Sequence, residues 1–463
     1  MKRFRWVWVI LAFVFVAAAC GRGDDSESTP AATTAAPSAA TTTADACKKE
    51  ALKATDVGVT ATDITITVMA DTGSPLAPGL FQGSIDAVKA WADAVNKVGG
   101  VGCRQVKVNA VDSKLNPAET VNGTIEACKN SFAMVGTTSL ALFDASNMLK
   151  CADLAGKATG LPDIAQLATE IPHTCNPTTF PVNAAKSDCP YSGGERSVES
   201  NLGAAKYYQT ILPNAHGIFM VGADLPSAIQ SSTYQIRSAE KIGIINDGEF
   251  AVSGSLAQAG YGKLVQQIKQ KSSNFVYDIS NDASMVKIRK EAKAQGVDTV
   301  KIWGCSLACY TPNLISTGGA DVEGTYMWMS FLPFEESDTN AELKAYLDAV
   351  GGLSKATSWG AGAWADALLF KTAVDQIVKT DGPNAITRDK LLAVLPTISG
   401  FTANGWWGTK PTGRLGISNC VVVIQVKNGK FERVFPTERG KLSCSDSNMV
   451  TSKFDPTKEF HGL

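Results

Sequence analysis

The chain has 463 residues, with 43 Lys and Arg against 44 Asp and Glu. The length allows up to three domains, and 44% apolar residues are enough to bury a large core. The balanced charge argues against a nucleic-acid-binding protein, which needs a basic surplus or a basic face. With only three histidines, a zinc enzyme is disfavoured, and we expect no metal and no cofactor.

The first twenty residues predict export. A basic start, Met1 to Arg5, precedes an apolar run over 6–16, which is too short for a membrane span but typical of a signal peptide. The run ends in Ala17-Ala18-Ala19-Cys20, and small residues before a cysteine resemble the lipobox of bacterial lipoproteins. That resemblance implies a signal peptide over 1–19 and a lipidated Cys20. An ordinary secretory signal with an incidental cysteine is the alternative.

The segment after Cys20 predicts a tether. Residues 21–46 are mainly Gly, Asp, Ser, Thr, Ala and Pro, and they show no apolar periodicity. Such a segment cannot bury enough surface to offset the entropy lost on ordering. We therefore expect a lipidated cysteine and a disordered tether over 20–46, which links a membrane anchor to the folded body.

The ten cysteines after Cys20 are an even number in an exported chain, which allows five disulfides. The absence of a CxxC pair and of neighbouring histidines argues against zinc. Sequence alone does not fix the connectivity, but the predicted structure suggests pairs. They are Cys420–Cys444, whose members flank a hairpin; Cys103–Cys128, at the start of a strand and the end of the helix that follows; Cys175–Cys189 and Cys305–Cys309, as local loops; and, by elimination, Cys47–Cys151.

From Asp63 onward, strands and helices alternate. The β-branched apolar run 64–70 predicts a strand, and the helical spacing of apolar residues over 82–98 predicts a helix. Strands joined by helices imply parallel sheets with right-handed crossovers. An irregular stretch near 172–197 interrupts the series, which predicts two sheets and hence two lobes. Further predicted elements include helices over 143–155 and 197–211, an apolar strand over 326–331, and the hairpin 421–426 and 430–435.

The order of turns in this body resembles a known family. It comprises Gly73-Ser74-Pro75, then Asn96-x-x-Gly99-Gly100-Val101, Asn116-Pro117, Gly136-Thr137-Thr138-Ser139 and the late Val322-Glu323-Gly324. From Asp63 to Phe435 the chain is similar to the solute-binding proteins of ABC importers, in the branched-chain amino-acid-binding-like branch. The resemblance implies an α/β fold of two lobes, each with a parallel sheet flanked by helices, in the type I periplasmic-binding (Venus-flytrap) architecture.

In this family three crossovers join the lobes, so each lobe is discontinuous in sequence. The resemblance places lobe one at 62–185 plus 324–405 and lobe two at 197–322 plus 416–450. The hinges are then expected near 186–196, 320–326 and 405–416.

The binding site is expected where the two sheets face each other, because ligands bind outside the carboxyl ends of parallel strands. In the family, small hydroxyl residues of the first lobe hold a ligand carboxylate, although the same hydroxyls are also common helix caps. The predicted ligand-binding residues are Ser74, Phe81, Thr138, Ser139, Ala168, Thr169, Asp224, Asn281, Asp282 and Tyr310.

The second lobe departs from the family pattern. Members that bind amino acids use an acidic residue after the last strand of this lobe to hold the ammonium group, and the segment 304–310 contains none here. Asp224 and Asp282 are the candidate substitutes, although either could equally be an N-cap; because Asn281-Asp282 precedes a helix, capping is favoured over ligand contact there. The departure puts a standard zwitterionic amino acid in doubt.

The resemblance therefore implies an extracytoplasmic solute-binding protein, anchored to the cell membrane through Cys20, that is not an enzyme. Its expected partners are a small polar solute (an amino acid or a related carboxylate or amide), the permease subunits of an ABC importer and the membrane, with no nucleic acid. A ligand sensor of the same fold is the alternative. A secreted hydrolase is disfavoured because no G-x-S-x-G motif occurs and neither His173 nor His216 lies in a prepared sequence context.

Overall fold

The computed structural model describes residues 47, 50–74, 78–182, 184–223 and 226–455. The predicted signal peptide, lipidated Cys20 and tether lie outside these residues, as does Asp224. Among the residues described, we find no helix with the length and apolar character needed to cross a membrane.

The first sheet has four parallel strands in the order β2-β1-β3-β4. They are β1 (Asp63–Ala70), β2 (Gln105–Asp112), β3 (Ala133–Thr138) and β4 (Asp163–Leu167). The helices of this lobe are α1 (Gln82–Lys97), α2 (Pro117–Asn130), α3 (Ser146–Leu149), α4 (Ile171–Thr174), α10 (Ala341–Val350), α11 (Ser358–Asp381) and α12 (Arg388–Val394).

Helix α11 is the central helix of the first lobe. Thr357 caps its first turn by accepting a hydrogen bond from the Gly360 N–H. Small residues in its first half allow a close approach to the sheet: a Cβ at Gly362 would lie 1.7 Å from the side chain of Gln166. Because α11 packs so closely, its N-terminus is fixed beside the carboxyl ends of the first-sheet strands.

The second sheet runs in the order β13-β12-β11-β10-β9-β7-β8, and β14 pairs with β12. Its strands are β7 (His216–Gly222), β8 (Ile245–Val252), β9 (Phe275–Asp278), β10 (Ile302–Cys305), β11 (Thr325–Met329), β12 (Cys420–Lys427), β13 (Lys430–Phe435) and β14 (Ser443–Cys444). Strands β7 to β11 are parallel, whereas β12 and β13 form the predicted hairpin at one edge.

Helices cover both faces of the second sheet. One face packs on α5 (Gly203–Ile211) and α6 (Pro226–Lys241). The other face packs on α7 (Gly262–Lys271), α8 (Asp282–Ala294) and α9 (Pro312–Gly318). A small antiparallel sheet of β5 (Lys186–Ser187), β6 (Arg196–Asn201) and β15 (Met449–Phe454) completes the body.

Three chain segments cross between the two sheets and pair with one another. Ala184 pairs with Gly416, and Phe331 pairs with Trp407. The strand predicted over 326–331 was placed in lobe one, but β11 hydrogen-bonds in parallel to β10 and continues the second sheet. The second crossover therefore follows Met329 and not the predicted hinge near 320–326.

Two predicted helices differ from the structure. The prediction over 143–155 shortens to α3, because the Asp153 carboxylate accepts backbone N–H groups of the turn that follows. The prediction over 197–211 begins instead with strand β6, which pairs with β15. That pairing joins segments about 250 residues apart, so local periodicity did not reveal it.

Three predicted disulfides are present: Cys175–Cys189, Cys305–Cys309 and Cys420–Cys444. The predictions Cys103–Cys128 and Cys47–Cys151 are wrong, because Cys103 bonds Cys47 and Cys128 bonds Cys151. Cys103 precedes the edge strand β2, whereas α2 crosses over β1 and delivers Cys128 beside β3. Two strand spacings, roughly 10 Å, separate those positions, which exceeds the reach of a disulfide.

Candidate functional site

A cavity of about 600 Å³ lies between the carboxyl ends of the two sheets. Its first-lobe wall comes from the segments after β1, β2, β3 and β4 and from the start of α11. Its second-lobe wall comes from the segments after β9 and β10. The lining at this cleft includes Leu80, Phe81, Leu115, Leu140, Leu167, Thr169, Ser280, Asn281, Asp282, Ser306, Leu307, Ala308, Thr311, Thr357, Ser358 and Trp359.

The first-lobe wall is mainly apolar. The rings of Phe81 and Trp359 meet edge to face, with centroids 5.1 Å apart. Leucines from three different loops complete this surface. Such a wall favours an apolar part of a ligand, because burial of apolar surface is the main source of affinity in pockets of this kind.

Asp71 supports this wall from behind. Its carboxylate is fully buried and accepts hydrogen bonds from the Leu115 N–H (2.9 Å), the Leu140 N–H (2.8 Å) and the Ser113 hydroxyl (2.6 Å). These bonds join the segments that follow β1, β2 and β3. Asp71 is therefore a positioning residue that sets two leucines of the cavity wall.

The second-lobe wall carries the polar groups. The Asn281 side chain accepts the Ser284 N–H at 3.0 Å and so caps α8. The Asp282 carboxylate accepts the Thr311 hydroxyl at 2.6 Å and the Asn313 amide at 3.1 Å. The capping role weighed for Asn281 is thus present, and the side chain still lies in the cavity lining.

The two walls meet across the cleft. The Ser358 hydroxyl, at the start of α11, donates to the Leu307 carbonyl at 3.5 Å. Leu307 lies in the segment closed by the Cys305–Cys309 disulfide. First-lobe and second-lobe residues are therefore in contact at this cavity.

The structure brings only part of the predicted set to the lining: Phe81, Thr169, Asn281 and Asp282. The predicted Ser74, Thr138, Ser139, Ala168 and Tyr310 do not line it, and Asp224 lies outside the described residues.

For three of the predicted residues that do not line the cavity, the hydrogen bonds of the hydroxyl group explain why. The Thr138 hydroxyl donates to Ser84 inside the lobe, and the Ser139 hydroxyl lies 3.4 Å from the Asp71 carboxylate. The Tyr310 hydroxyl donates to the Glu335 carboxylate at 2.6 Å. Each of these hydroxyls therefore has a hydrogen-bond partner within the protein and lies outside the cavity lining.

The sequence analysis did not predict Trp359 or Trp407 as wall residues. Both line the cavity, and Trp407 is 4% exposed. The signal for Trp359 was its place in the first turn of a long helix. Nothing local marked Trp407, because its position depends on pairing with Phe331 in another crossover.

Asp278 is a buried acid at the end of β9, next to the polar wall. Burial raises its pKa to about 7, and the nearby Asp282 charge acts in the same direction. Hydrogen bonds from Ser280 to one carboxylate oxygen only partly oppose this effect. Between about pH 4 and pH 7, the Asp278 carboxyl of the native state is therefore protonated, whereas the same carboxyl in the unfolded chain, with a pKa of 3.8, is ionised.

We expect the stability of the wild type to fall as pH rises from about 4 to about 7, since the folded state binds the extra proton in this window. Asp278→Asn should remove a contribution on the order of 4 kcal/mol across the window. The measurement is the free energy of denaturant unfolding against pH. The exposed Asp93→Asn is the control and should keep the wild-type slope, and an unchanged slope in Asp278→Asn would contradict the assignment.

The Cys305–Cys309 bond closes a five-residue segment whose three inner residues all line the cavity. A loop this short gains little stability from closure, so its main effect is to fix the wall. Replacing both cysteines by serine should weaken ligand binding about 3- to 10-fold with little change in melting temperature. The control is the Cys420→Ser, Cys444→Ser pair, which should lower stability and leave affinity unchanged; equal affinities in all three proteins would contradict this role.

The two histidines considered for catalysis lie away from the cavity lining. His173 Nε2 is 2.7 Å from the Asp163 carboxylate, and both side chains are fully buried. His216 Nδ1 is 2.8 Å from Asp247, which also accepts the Ser273 hydroxyl. Among the described residues, each histidine is hydrogen-bonded to an aspartate and neither is hydrogen-bonded to a serine that could act as a nucleophile, so neither cluster supports the hydrolase alternative.

Comparisons with known proteins agree with this geometry. A family model described as periplasmic binding protein matches residues 63–430. No curated protein matches the chain.

Solved structures share the fold at low sequence identity. A leucine-binding protein from Thermotoga maritima has a TM-score of 0.60 at 15% identity, with 83% of this chain and 99% of that chain covered. A substrate-binding protein of an ABC transporter from Aeropyrum pernix has a TM-score of 0.63 at 12% identity, with 83% and 97% covered. A fatty acid ABC transporter substrate-binding protein from Thermomonospora curvata has a TM-score of 0.60 at 16% identity, with 85% and 95% covered. The expected two-lobed type I fold is thereby confirmed.

Proposed function

Because the chain belongs to the periplasmic binding protein family, we propose that it is the extracytoplasmic solute receptor of an ABC importer. The observation that supports this proposal is the cavity lined by residues from both sheets at their carboxyl ends. A site of that kind binds by enclosure, because the ligand is desolvated when both walls contact it.

The paired crossovers provide the hinge. The Gly408 N–H donates to the Ser330 carbonyl at 2.7 Å, and the Leu332 N–H donates to the Trp406 carbonyl at 3.0 Å. Because these crossover segments are adjacent and hydrogen-bonded to one another, we expect them to bend as one unit when the lobes close. Ligand that contacts both walls favours the closed arrangement by its differential affinity, and the permease then recognises the closed receptor.

The proposal includes membrane attachment through a lipid on Cys20. A receptor that serves an importer works best when held near the permease, and residues 21–46 supply a tether. Mass spectrometry of the protein extracted from membranes should find an acylated Cys20 at the mature N-terminus. An unmodified N-terminus on freely released protein would remove this part of the proposal.

The ligand class is argued from the cavity, since the neighbours share only the fold. Leucine and fatty acid are named for two of them, and identities of 15% and 16% carry no ligand to this chain. The amino acid or small carboxylate expected from the sequence remains one candidate. The largely uncharged cavity lining favours a more apolar one.

Thermal-shift screening tests the receptor proposal. A ligand that binds only the folded state raises the melting temperature by mass action. The library should contain amino acids, small carboxylates, amides and alkyl compounds. We expect at least one class to raise the melting temperature in the wild type, and a smaller shift in Trp359→Ala. No shift with any class would contradict the proposal.

A further inference from the structure

The cavity continues beyond the cleft into the second lobe. Its inner chamber lies between the second sheet and helices α5 and α6. Four aromatic side chains on the sheet form its floor: Phe219, Phe275, Tyr277 and Trp328. Small side chains on the helices, Ala205 and Ser231 among them, face that floor.

The floor is ordered by its own contacts. The rings of Phe275 and Tyr277 are parallel, with centroids 6.1 Å apart. The Trp328 indole N–H donates to the Tyr277 hydroxyl at 2.9 Å. Between them β10 presents Gly304, where a Cβ would lie 2.6 Å from the Tyr277 ring. The absent side chain lets the ring lie across β10, so the floor is continuous from β9 to β11.

Strand β9 leads from the chamber to the mouth of the cavity. Phe275, Tyr277 and Ile279 alternate along one face and all line it, and Asn281 lies at the cleft. The four strand residues Phe275–Asp278 alone span roughly 13 Å, and the segment Ile279 to Asn281 continues to the cleft. This path can accommodate an elongated ligand that has one end at the cleft and the other in the inner chamber.

The lining carries little charge. Among its described residues Asp282 is the one acid, and Lys, Arg and His are absent. A ligand carboxylate bound here would be unfavourable, because it would lose its hydration without gaining a cationic partner. A neutral end or a cationic end near Asp282 avoids this cost.

On the basis of the proposed receptor function, we propose that the ligand is an amphipathic molecule with an alkyl body and an uncharged or cationic polar end. The alkyl body occupies the inner chamber, and the polar end lies at Ser280, Asn281 and Asp282. A free carboxylate is the less favoured end.

The test is calorimetric binding of a series of primary amides from butyramide to decanamide, below the concentrations at which they aggregate. Each added methylene should strengthen binding about fourfold until the chamber is full. Decanamide and decylamine should bind at least tenfold more tightly than decanoate. Affinity independent of chain length, or decanoate binding as tightly as decanamide, would overturn the inference.

Ser231→Leu narrows the chamber from α6 while keeping a good helix former, and the Ser231 hydroxyl donates only to the Ala228 carbonyl of its own helix. It should weaken decanamide at least tenfold and leave butyramide unchanged. Ala205→Leu on α5 is the second blocking variant, should Ser231→Leu fail to fold. Thr210→Leu, on the exposed face of α5, is the matched control and should bind as the wild type does. Equal decanamide affinity in both blocking variants and the wild type would overturn the inference.

Failure of this inference and failure of the receptor proposal give different results. If leucine or another small polar solute binds and the alkyl series does not, the chamber has no ligand role and the receptor proposal stands. If no compound of either class binds, both are contradicted.

Discussion

Asp71→Asn is expected to weaken ligand binding at least tenfold and to lower the free energy of unfolding by about 2–3 kcal/mol. The substitution keeps the shape of the side chain but replaces one acceptor oxygen by an N–H₂ group. That group then faces a backbone N–H, either of Leu115 or of Leu140, which loses its acceptor. Both leucines line the cavity, so the wall moves as the loops separate.

Calorimetry with the strongest ligand of the thermal screen measures the first effect, and denaturant unfolding measures the second. Asp63→Asn is the control, because Asp63 lies at the opposite end of β1 and bonds the surface Lys107. That pair is exposed on the lysine side, so its loss should cost less than about 1 kcal/mol and no affinity. Wild-type affinity in Asp71→Asn would show that this carboxylate does not position the wall.

Arg388→Ala should cost about 3–5 kcal/mol of stability, the largest effect we expect from one side chain outside the cavity. The guanidinium is fully buried and donates to the carbonyls of Cys128 (2.8 Å), Ala152 (3.0 Å) and Phe132 (3.3 Å). Truncation leaves these carbonyls without partners. They join the end of α2 to the segment after Cys151, so local order around the Cys128–Cys151 bond is lost too.

Denaturant unfolding monitored by tryptophan fluorescence gives the size of this effect. Lys390→Ala on the same helix removes an exposed ion pair with Asp381 and should change stability by less than about 1 kcal/mol. Arg388→Lys should fall between the two, because an ammonium group keeps the charge but not the planar fork of donors. A loss in Arg388→Ala no larger than in Lys390→Ala would contradict the role assigned to this arginine.

The alternation of strands and helices was readable from the sequence because each parallel strand is a short apolar run and each helix has its own periodicity. The same reading failed for β6, whose partner β15 lies at the far end of the described chain. It also failed for β11, which was assigned to the wrong lobe because its sheet is set by hydrogen bonds to β10.

Cysteine pairing likewise was predictable where it is local and not where it depends on the order of strands in the sheet. Cys420 and Cys444 lie in directly paired strands, so the local hairpin predicts their bond. Cys103 and Cys128 were predicted to meet because the helix after a strand returns to the starting edge of that strand, but the strand order inserts β1 between β2 and β3. Sequence gives the elements and their succession, whereas the lateral order of strands is a property of the whole sheet.

The site was predictable in its location and only partly in its residues. Loops after the strands do line the cavity, but hydroxyls such as that of Thr138 have internal partners that no local pattern reveals. The inner chamber was not predicted at all. It arises from the small residues of two helices lying opposite aromatic residues of three strands, and those segments are far apart in sequence.

The most direct test of the receptor account is a crystal structure of the protein with the strongest ligand from the thermal screen. The account predicts ligand density enclosed between Trp359 of the first lobe and Asn281 of the second, with both lobes in contact with it. Ligand bound on an outer surface, or touching one lobe alone, would contradict the account.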